Sequence, residues 1–456
     1  MGYADVPVPG IVFDNRTPYT ALQFDALDQH GAAFHVFVAK IGYQINPRGS
    51  DGLSTMTPLD EVVELNSEDI HVDGKSDASV LEESDLAPFK PRCDVIINAT
   101  AHAPKGNPVE QFVVGLSVET PGRASPSRSS ELLIKKSLVV CGTRRFKYKS
   151  KAVRMLQWPL GILTLGAIRP GSWRLSSPQK LSSLRLIYEY AYGGQCRIGR
   201  EERGAKYVSA RNRLPASDDF PQPDIAHEAS QSNPVGLGFT RNWYLKALRC
   251  KSLPAPQVSY LSQPITARQF QACLNDGPDP VPAGMGPVGR AWQPRRALIG
   301  DIKEKSEWGP DEVPALPEDF DFGYWNCAPA DQQCPYLKGE ERFTLINLCT
   351  PDHPAATVDG NGSTVLRFDL PRQAMFILAA NASTQLTVLP LVIDTVIVSP
   401  ETRRVDLVWR GCLAADPSLV ESRLMHITDN AQIERLELLI QQQSSELDDT
   451  ATLGKK

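Results

Sequence analysis

The sequence predicts a mainly-β fold of antiparallel, sandwich-like sheets, joined by a long ordered loop region rich in proline and glycine and closed by a C-terminal helix. Three observations predict it. Apolar and polar residues alternate with β-branched enrichment from end to end, the period of a half-buried strand. Long stretches of helical period are nearly absent before Asn430. Prolines number 37 in 456 residues, about eight per cent against a usual ~5%, and they crowd with glycine between Gly193 and Asp331.

In chain order, strands are expected at Phe34 to Ile45, Asp94 to Ala101, Gln111 to Glu119, Leu132 to Gly142, Arg145 to Lys149, Ile162 to Ile168 and Leu184 to Tyr190. Later ones are expected at Arg342 to Leu348, Thr364 to Leu370, Met375 to Ala379, Gln385 to Ser399 and Arg404 to Arg410. The clearest hairpin joins Asp394 to Ser399 with Arg404 to Arg410, because Pro400 presets the backbone angle of the connecting turn. Between Gly193 and Asp331 hardly any periodic run exceeds five residues. Trp243, Trp292, Trp308 and Trp325 with Phe239, Phe320 and Phe322 argue that these loops are pinned, since disordered segments are poor in aromatics. From Asn430 onward, Ile433, Leu436 and Ile440 share one helical face, with Asp429 or Asn430 as cap.

A single hydrophobic core stops growing at ~250–300 residues, so two or three packed units are expected, and three are read from the pattern. These are a β-rich unit at 1–192, a loop-rich region at 193–340 packed on the sheets, and a β unit at 341–456 ending in the helix. The net charge of -5 leaves no electrostatic footprint for nucleic acid or an anionic membrane. Arg144, Arg145, Lys147, Lys149 and Lys151 alternate along a strand and read as a solvated sheet face. No signal-peptide pattern and no apolar run of ~20 residues is present, so a cytoplasmic protein is expected. Nine scattered cysteines suit a reducing compartment.

Motifs for chemistry are weak. Gly284-Met-Gly-Pro-Val-Gly289 matches the dinucleotide fingerprint as a string, yet Pro287 removes an amide and Pro294 stops any helix, so a tight turn is expected. Cys327, Cys334 and His353 have poor spacing for a metal. Asp319, Asp321, Glu340 and Glu341 read as turn caps and loop ties rather than an acid and base pair. No cofactor, metal ligand or catalytic residue is assigned.

Several segments resemble the family catalogued as domain of unknown function 2169, associated with type VI secretion effector adaptors or chaperones. They are Asp85-Leu-Ala-Pro88-Phe-Lys90-Pro91-Arg-Cys-Asp94, then Tyr188-Glu189 to Gly193-Gly194, then Asn233-Pro234-Val-Gly236-Leu-Gly238. The longest runs from Pro282 through Trp292-Gln-Pro294-Arg295, Leu316 to Asp319-Phe320-Asp321, Asn326, Asp331-Gln332 and Leu337 to Glu340, and Leu407 to Gly411 fits the family's ending. Tyr190, Gly300-Asp301-Ile302 and Leu253 to Pro256 depart from its pattern. The resemblance implies a non-enzymatic adaptor that binds a cognate effector and brings it to a spike or spike-tip protein. The alternatives are a metal-independent hydrolase using the central carboxylates Asp319, Asp321 and Glu340, or a structural component of the secretion apparatus. Lys90, Asp94, Glu189 and Arg295 suit charge-assisted bonds to loop backbone, while Trp292, Arg295, Trp308 and Trp325 are candidate partner anchors.

Overall fold

A computed structural model describes residues 11–120, 130–150, 152–157, 163–169, 171–215, 223–302, 316–383 and 385–453. Its longest strand, Ala33–Arg48, is apolar on both faces for much of its length, so it must lie mid-sheet with cover on each side. It does. The main sheet runs Val258–Tyr260, Glu131–Cys141, Gln111–Thr120, Arg342–Ile346, Thr364–Asp369, Ser54–Pro58, Ala33–Arg48, Arg404–Ala414, Val392–Ser399, Cys93–Ile97 and Gln333–Cys334. Thr20–Leu27 pairs with the first half of Ala33–Arg48, and Ala356–Val358 with Thr364–Asp369, which makes thirteen strands. Segments 1–192, 193–340 and 341–456 all contribute strands to this one sheet.

Most neighbours are antiparallel, and the expected hairpin of Val392–Ser399 with Arg404–Ala414 is present, its turn closed by Pro400–Thr402 and a left-handed Arg403. Two joins are parallel: Val392–Ser399 beside Cys93–Ile97, and Thr364–Asp369 beside Ser54. The sheet curls until its ends meet, where Lys136 of Glu131–Cys141 reaches Asp331, two residues before Gln333–Cys334. Inside the curl lie Phe37, Ile41, Tyr43, Val114, Leu116, Phe343, Phe368, Leu407 and Trp409. Each large apolar side chain so buried contributes roughly 1.5–3 kcal/mol.

A four-stranded sheet of Val12–Asn15, Leu419–Ile427, Ala374–Asn381 and Leu386–Pro390 caps that core through Leu424 and Ile377. The expected strand Gln385 to Ser399 is therefore two strands, one in each sheet. Pro390, which cannot donate a ladder bond, ends the first. Asp94 to Ala101 likewise divides into Cys93–Ile97 and Thr100–His102, and Leu184 to Tyr190 into Ser183–Arg185 and a turn at Tyr188–Tyr190. The helix Asn430–Leu453 is capped by Asp429, which accepts from the Gln432 amide at 3.0 Å, and buries Ile433 and Leu436.

The region after Gly193 holds more regular structure than expected: two seven-residue helices, Asn242–Leu248 and Ala267–Cys273, and several short strands. They surround a second core in which Phe146 stacks on Phe270 at 3.9 Å.

Candidate functional site

Along the four adjacent strands Ala33–Arg48, Arg404–Ala414, Val392–Ser399 and Cys93–Ile97, alternation places the core residues on the inner face and their neighbours on the outer one. The outer neighbours include four charges, Lys40, Asp94, Asp406 and Arg410. An outer sheet face should expose such residues, yet these four are 0–3% exposed. Loop segments 59–92, 284–302 and 316–332 cover them, and the charges hold the cover down.

Asp94, fully buried, accepts four bonds. Lys90 Nζ (2.9 Å) and the Cys327 amide (2.9 Å) reach one oxygen; Asn326 Nδ2 (3.1 Å) and the Ala328 amide (3.1 Å) reach the other. Lys90 also donates to Thr395 Oγ1 at 2.9 Å. Asn326 further donates to the Arg92 carbonyl, so one side chain joins both loops to the strand. Asp85 receives Lys40 Nζ at 3.0 Å and the Asn66 amide at 2.8 Å. Arg410 donates to Asp394 (2.5 Å) and to the carbonyls of Asp85 (3.0 Å) and Ala87 (2.5 Å). Asp394 is the extra residue of a β-bulge between Ile393 and Thr395, and the bulge turns it toward Arg410.

Arg295 performs the same task within the loop layer. It forks onto Glu83 and donates to the Val288 carbonyl at 2.7 Å and the Tyr324 carbonyl at 2.6 Å. Gln332 donates to the carbonyls of Val95 and Met285, and Glu189 accepts the Ser79 amide and hydroxyl. Asp331 pairs with Lys136 across the closure of the sheet. Pro91 lies exposed ahead of Cys93–Ile97.

The two glycine-bearing stretches meet each other. Tyr192–Gly193 pairs in parallel with Leu237–Gly238, and Asn233 Nδ2 donates to the Tyr188 and Tyr192 carbonyls at 2.9 Å each. Gly194 has φ +113° and sits where a Cβ would come within 2.6 Å of the Gly236 carbonyl oxygen; Gly236 is in turn wedged against the Asn233 amide. Pro234, between them, accepts from Gln195.

Asp319 accepts the Asp301 amide and Asp321 caps the Phe322–Trp325 turn by accepting the Gly323 amide at 2.7 Å. Glu341 is buried; burial pushes its carboxyl up, against the pull of the Lys338 amide, which it accepts at 2.9 Å. Trp292 is 9% exposed and packs edge-on against Tyr188 at 5.3 Å beside Gly284 and Gly289, so the fingerprint-like string is a turn folded around two rings. Trp325 is half-buried under Arg290, and Trp308 lies outside the described residues.

Cys327, Cys334 and His353 are not brought together. Cys327 packs with Ile96 and Ile397, Cys334 stands opposite Cys93, and His353 Nε2 bonds to the Pro400 carbonyl. A cleft of about 360 Å³ opens beside the network, lined by Leu81, Asn98, Arg185, Glu401 and Arg404 among others.

Sequence reasoning did not find Lys40, Glu83, Asp394 or Arg410 as members of the network. Their signal was available: Lys40, Asp394 and Arg410 are charges inside long apolar strand runs, where a charge is almost never buried without a partner.

The family described as "Uncharacterized protein conserved in bacteria (DUF2169)" matches residues 30–410. The chain belongs to that family. Neither curated proteins nor solved structures give a match. The whole network, from Lys40 to Arg410, lies inside the family's span; the helix Asn430–Leu453 lies outside it.

Proposed function

We propose that this chain is an adaptor that binds a cognate type VI secretion effector and promotes its loading onto the secretion spike, in the cytoplasm of a bacterium. The family supports the bacterial setting, and the motif resemblance supports the secretion role. The observation that carries a binding role is the use of Lys90, Asp94, Arg295, Asn326 and Gln332. Each is directed into the fold, and together they fix two loop segments in one shape over a rigid sheet. A surface fixed in advance loses little conformational entropy when a partner docks. No described helix is long and apolar enough to cross a membrane.

Affinity purification from cells expressing the secretion system tests this reading. It should recover a stable complex with one toxin or spike-tip protein, and deletion of the chain should stop export of that effector alone. Recovery of the chain without a partner, or loss of all secretion on deletion, would overturn it in favour of another role.

A further inference from the structure

Away from the loop layer, one long hairpin carries a row of basic residues outside any ion pair among the described residues, Arg145 alone of them donating to Ser252. Arg144–Lys149 pairs antiparallel with Ser172–Leu175 on one side and Ser252–Ala255 on the other. Three residues beyond the Lys149 to Ser172 pair, the same register resumes at Ala152 and Arg169. The strands Ala152–Gln157 and Leu163–Arg169 thus prolong the hairpin as an arm. Among the described residues they pair only with each other.

The base of the hairpin has two unlike faces. One carries Phe146, Trp173 and Leu253 and is sealed against Phe270 of the helix Ala267–Cys273. The opposite one carries Arg145, Lys147, Lys149 and Arg174, all exposed, and Lys147 stands directly across from Arg174. None of the four belongs to an ion pair among the described residues. Like charges directly opposite each other on a sheet are destabilising. In a chain of net charge -5 this basic face is a local concentration against the overall balance.

The arm beyond it is apolar in sequence. Its register pairs Val153 with Ile168, Met155 with Leu165 and Leu156 with Thr164. A two-stranded ribbon of this kind is marginal in water, and its open edges present rows of amide and carbonyl groups as a template for another strand.

We propose that this hairpin is the docking arm for an extended acidic polypeptide segment of the partner, which adds as a strand to an edge of the arm and sets its carboxylates against Arg145, Lys147, Lys149 and Arg174. The inference rests on the adaptor reading and names where the partner is gripped. Charge complementarity selects acidic residues. The open strand edges select a polypeptide, because neither a lipid tail nor a nucleic acid can pair a row of backbone amides and carbonyls.

The full chain is tested with a fluorescein-labelled peptide of alternating valine and glutamate, its valine and lysine counterpart, a single-stranded DNA and phosphatidylglycerol vesicles. The acidic peptide should bind, more weakly as salt screens the charges. Photo-crosslinks from it should fall within 152–157 or 163–169. The variant Lys147→Glu/Lys149→Glu/Arg174→Glu should bind it at least about tenfold more weakly, a change of about 1.4 kcal/mol. Lys147→Gln/Arg174→Gln, which only neutralises, should show an intermediate loss, and both variants should melt as the parent does. The idea is overturned if the acidic peptide fails to bind, binds the reversed variant equally, or crosslinks elsewhere. Tighter binding of DNA or vesicles than of the acidic peptide overturns it too, and assigns the basic face to that polyanion. In cells, normal export by the reversed variant would remove the arm and leave the adaptor reading standing; normal export without the chain would remove the adaptor reading itself.

Discussion

Arg410 and Arg174 are the same side chain on strands of two sheets, and their surroundings make them different objects. Arg410 is 3% exposed, and its guanidinium donates to a carboxylate and to two loop carbonyls. Arg174 is exposed, stands opposite Lys147 and has no carboxylate among its described neighbours at ion-pair distance. A buried charge without such partners would cost several kcal/mol, so the first environment must be complete within the chain. An exposed charge carries no such requirement, because water solvates it. The comparison separates a region whose charges are paired within the chain from one whose charges remain available to a second molecule.

The comparison breaks most visibly at Asp94. Asp94→Ala removes the acceptor of Lys90, Asn326 and two backbone amides, and leaves a buried ammonium behind. A loss of about 3–5 kcal/mol is expected from urea denaturation, with new proteolytic cleavage in 316–332. Lys90→Met should cost less, since Asp94 keeps three other donors. If Asp94→Ala cost under about 1 kcal/mol, the loop layer would be held by something other than these charges.

The strands of this fold were legible because alternation is a local signal, and the hairpin at Pro400 was legible because proline fixes its own angle. The motif run from Asp85 to Asp94 and that from Trp292 to Gln332 could be named as loop ties from residue type alone. Their partners could not. Glu83 and Arg295 are 212 positions apart in the chain, and Lys90 and Thr395 are 305 apart; alternation within a strand carries no information across such separations. The helix Ala267–Cys273 had a local signal, Thr266 followed by Gln269 three residues later. The Thr266 hydroxyl does accept the Gln269 amide, but that signal covers one short turn in a stretch crowded with proline.

Lys136 stands between the two extremes, buried and yet paired with a carboxylate that is 38% exposed. Burial lowers its ammonium from the ordinary 10.5 to about 8, with Asp331 opposing the shift. The unfolded chain therefore binds more protons between pH 8 and 10.5, and stability from this group rises with pH across that window. Relative to Lys136→Met, the parent should gain up to about 3 kcal/mol over it. Unfolding at pH 8, 9 and 10 measures the difference; Tyr260, which burial pushes up, acts in the opposite sense at the alkaline end. A flat or falling difference would mean that Lys136 is hydrated at the closure of the sheet.

Backbone rather than charge sets the next effect. Gly194→Ala puts a Cβ on a residue at φ +113° and within 2.6 Å of the Gly236 carbonyl oxygen, so the Tyr192 and Leu237 strands must part. About 2 kcal/mol is expected, read as a lower melting temperature. A melting temperature equal to the parent's would show that the two glycine stretches tolerate separation.

The smallest effect is the most discriminating. Lys147→Glu replaces a like-charge neighbour of Arg174 with an opposite one on an exposed pair of strands. Cross-strand pairs of this kind are worth roughly 0.2–1 kcal/mol, so the variant should be as stable as the parent or slightly more. Reversing Arg410 in the same way would bring carboxylate against Asp394 and two carbonyls and should prevent folding. A substitution that stabilises the isolated chain while weakening its grip on an acidic partner is the signature of a charge kept for binding. If Lys147→Glu instead destabilised the chain by more than about 1 kcal/mol, Lys147 would be part of the fold's own support, and the contrast with Arg410 would be one of degree.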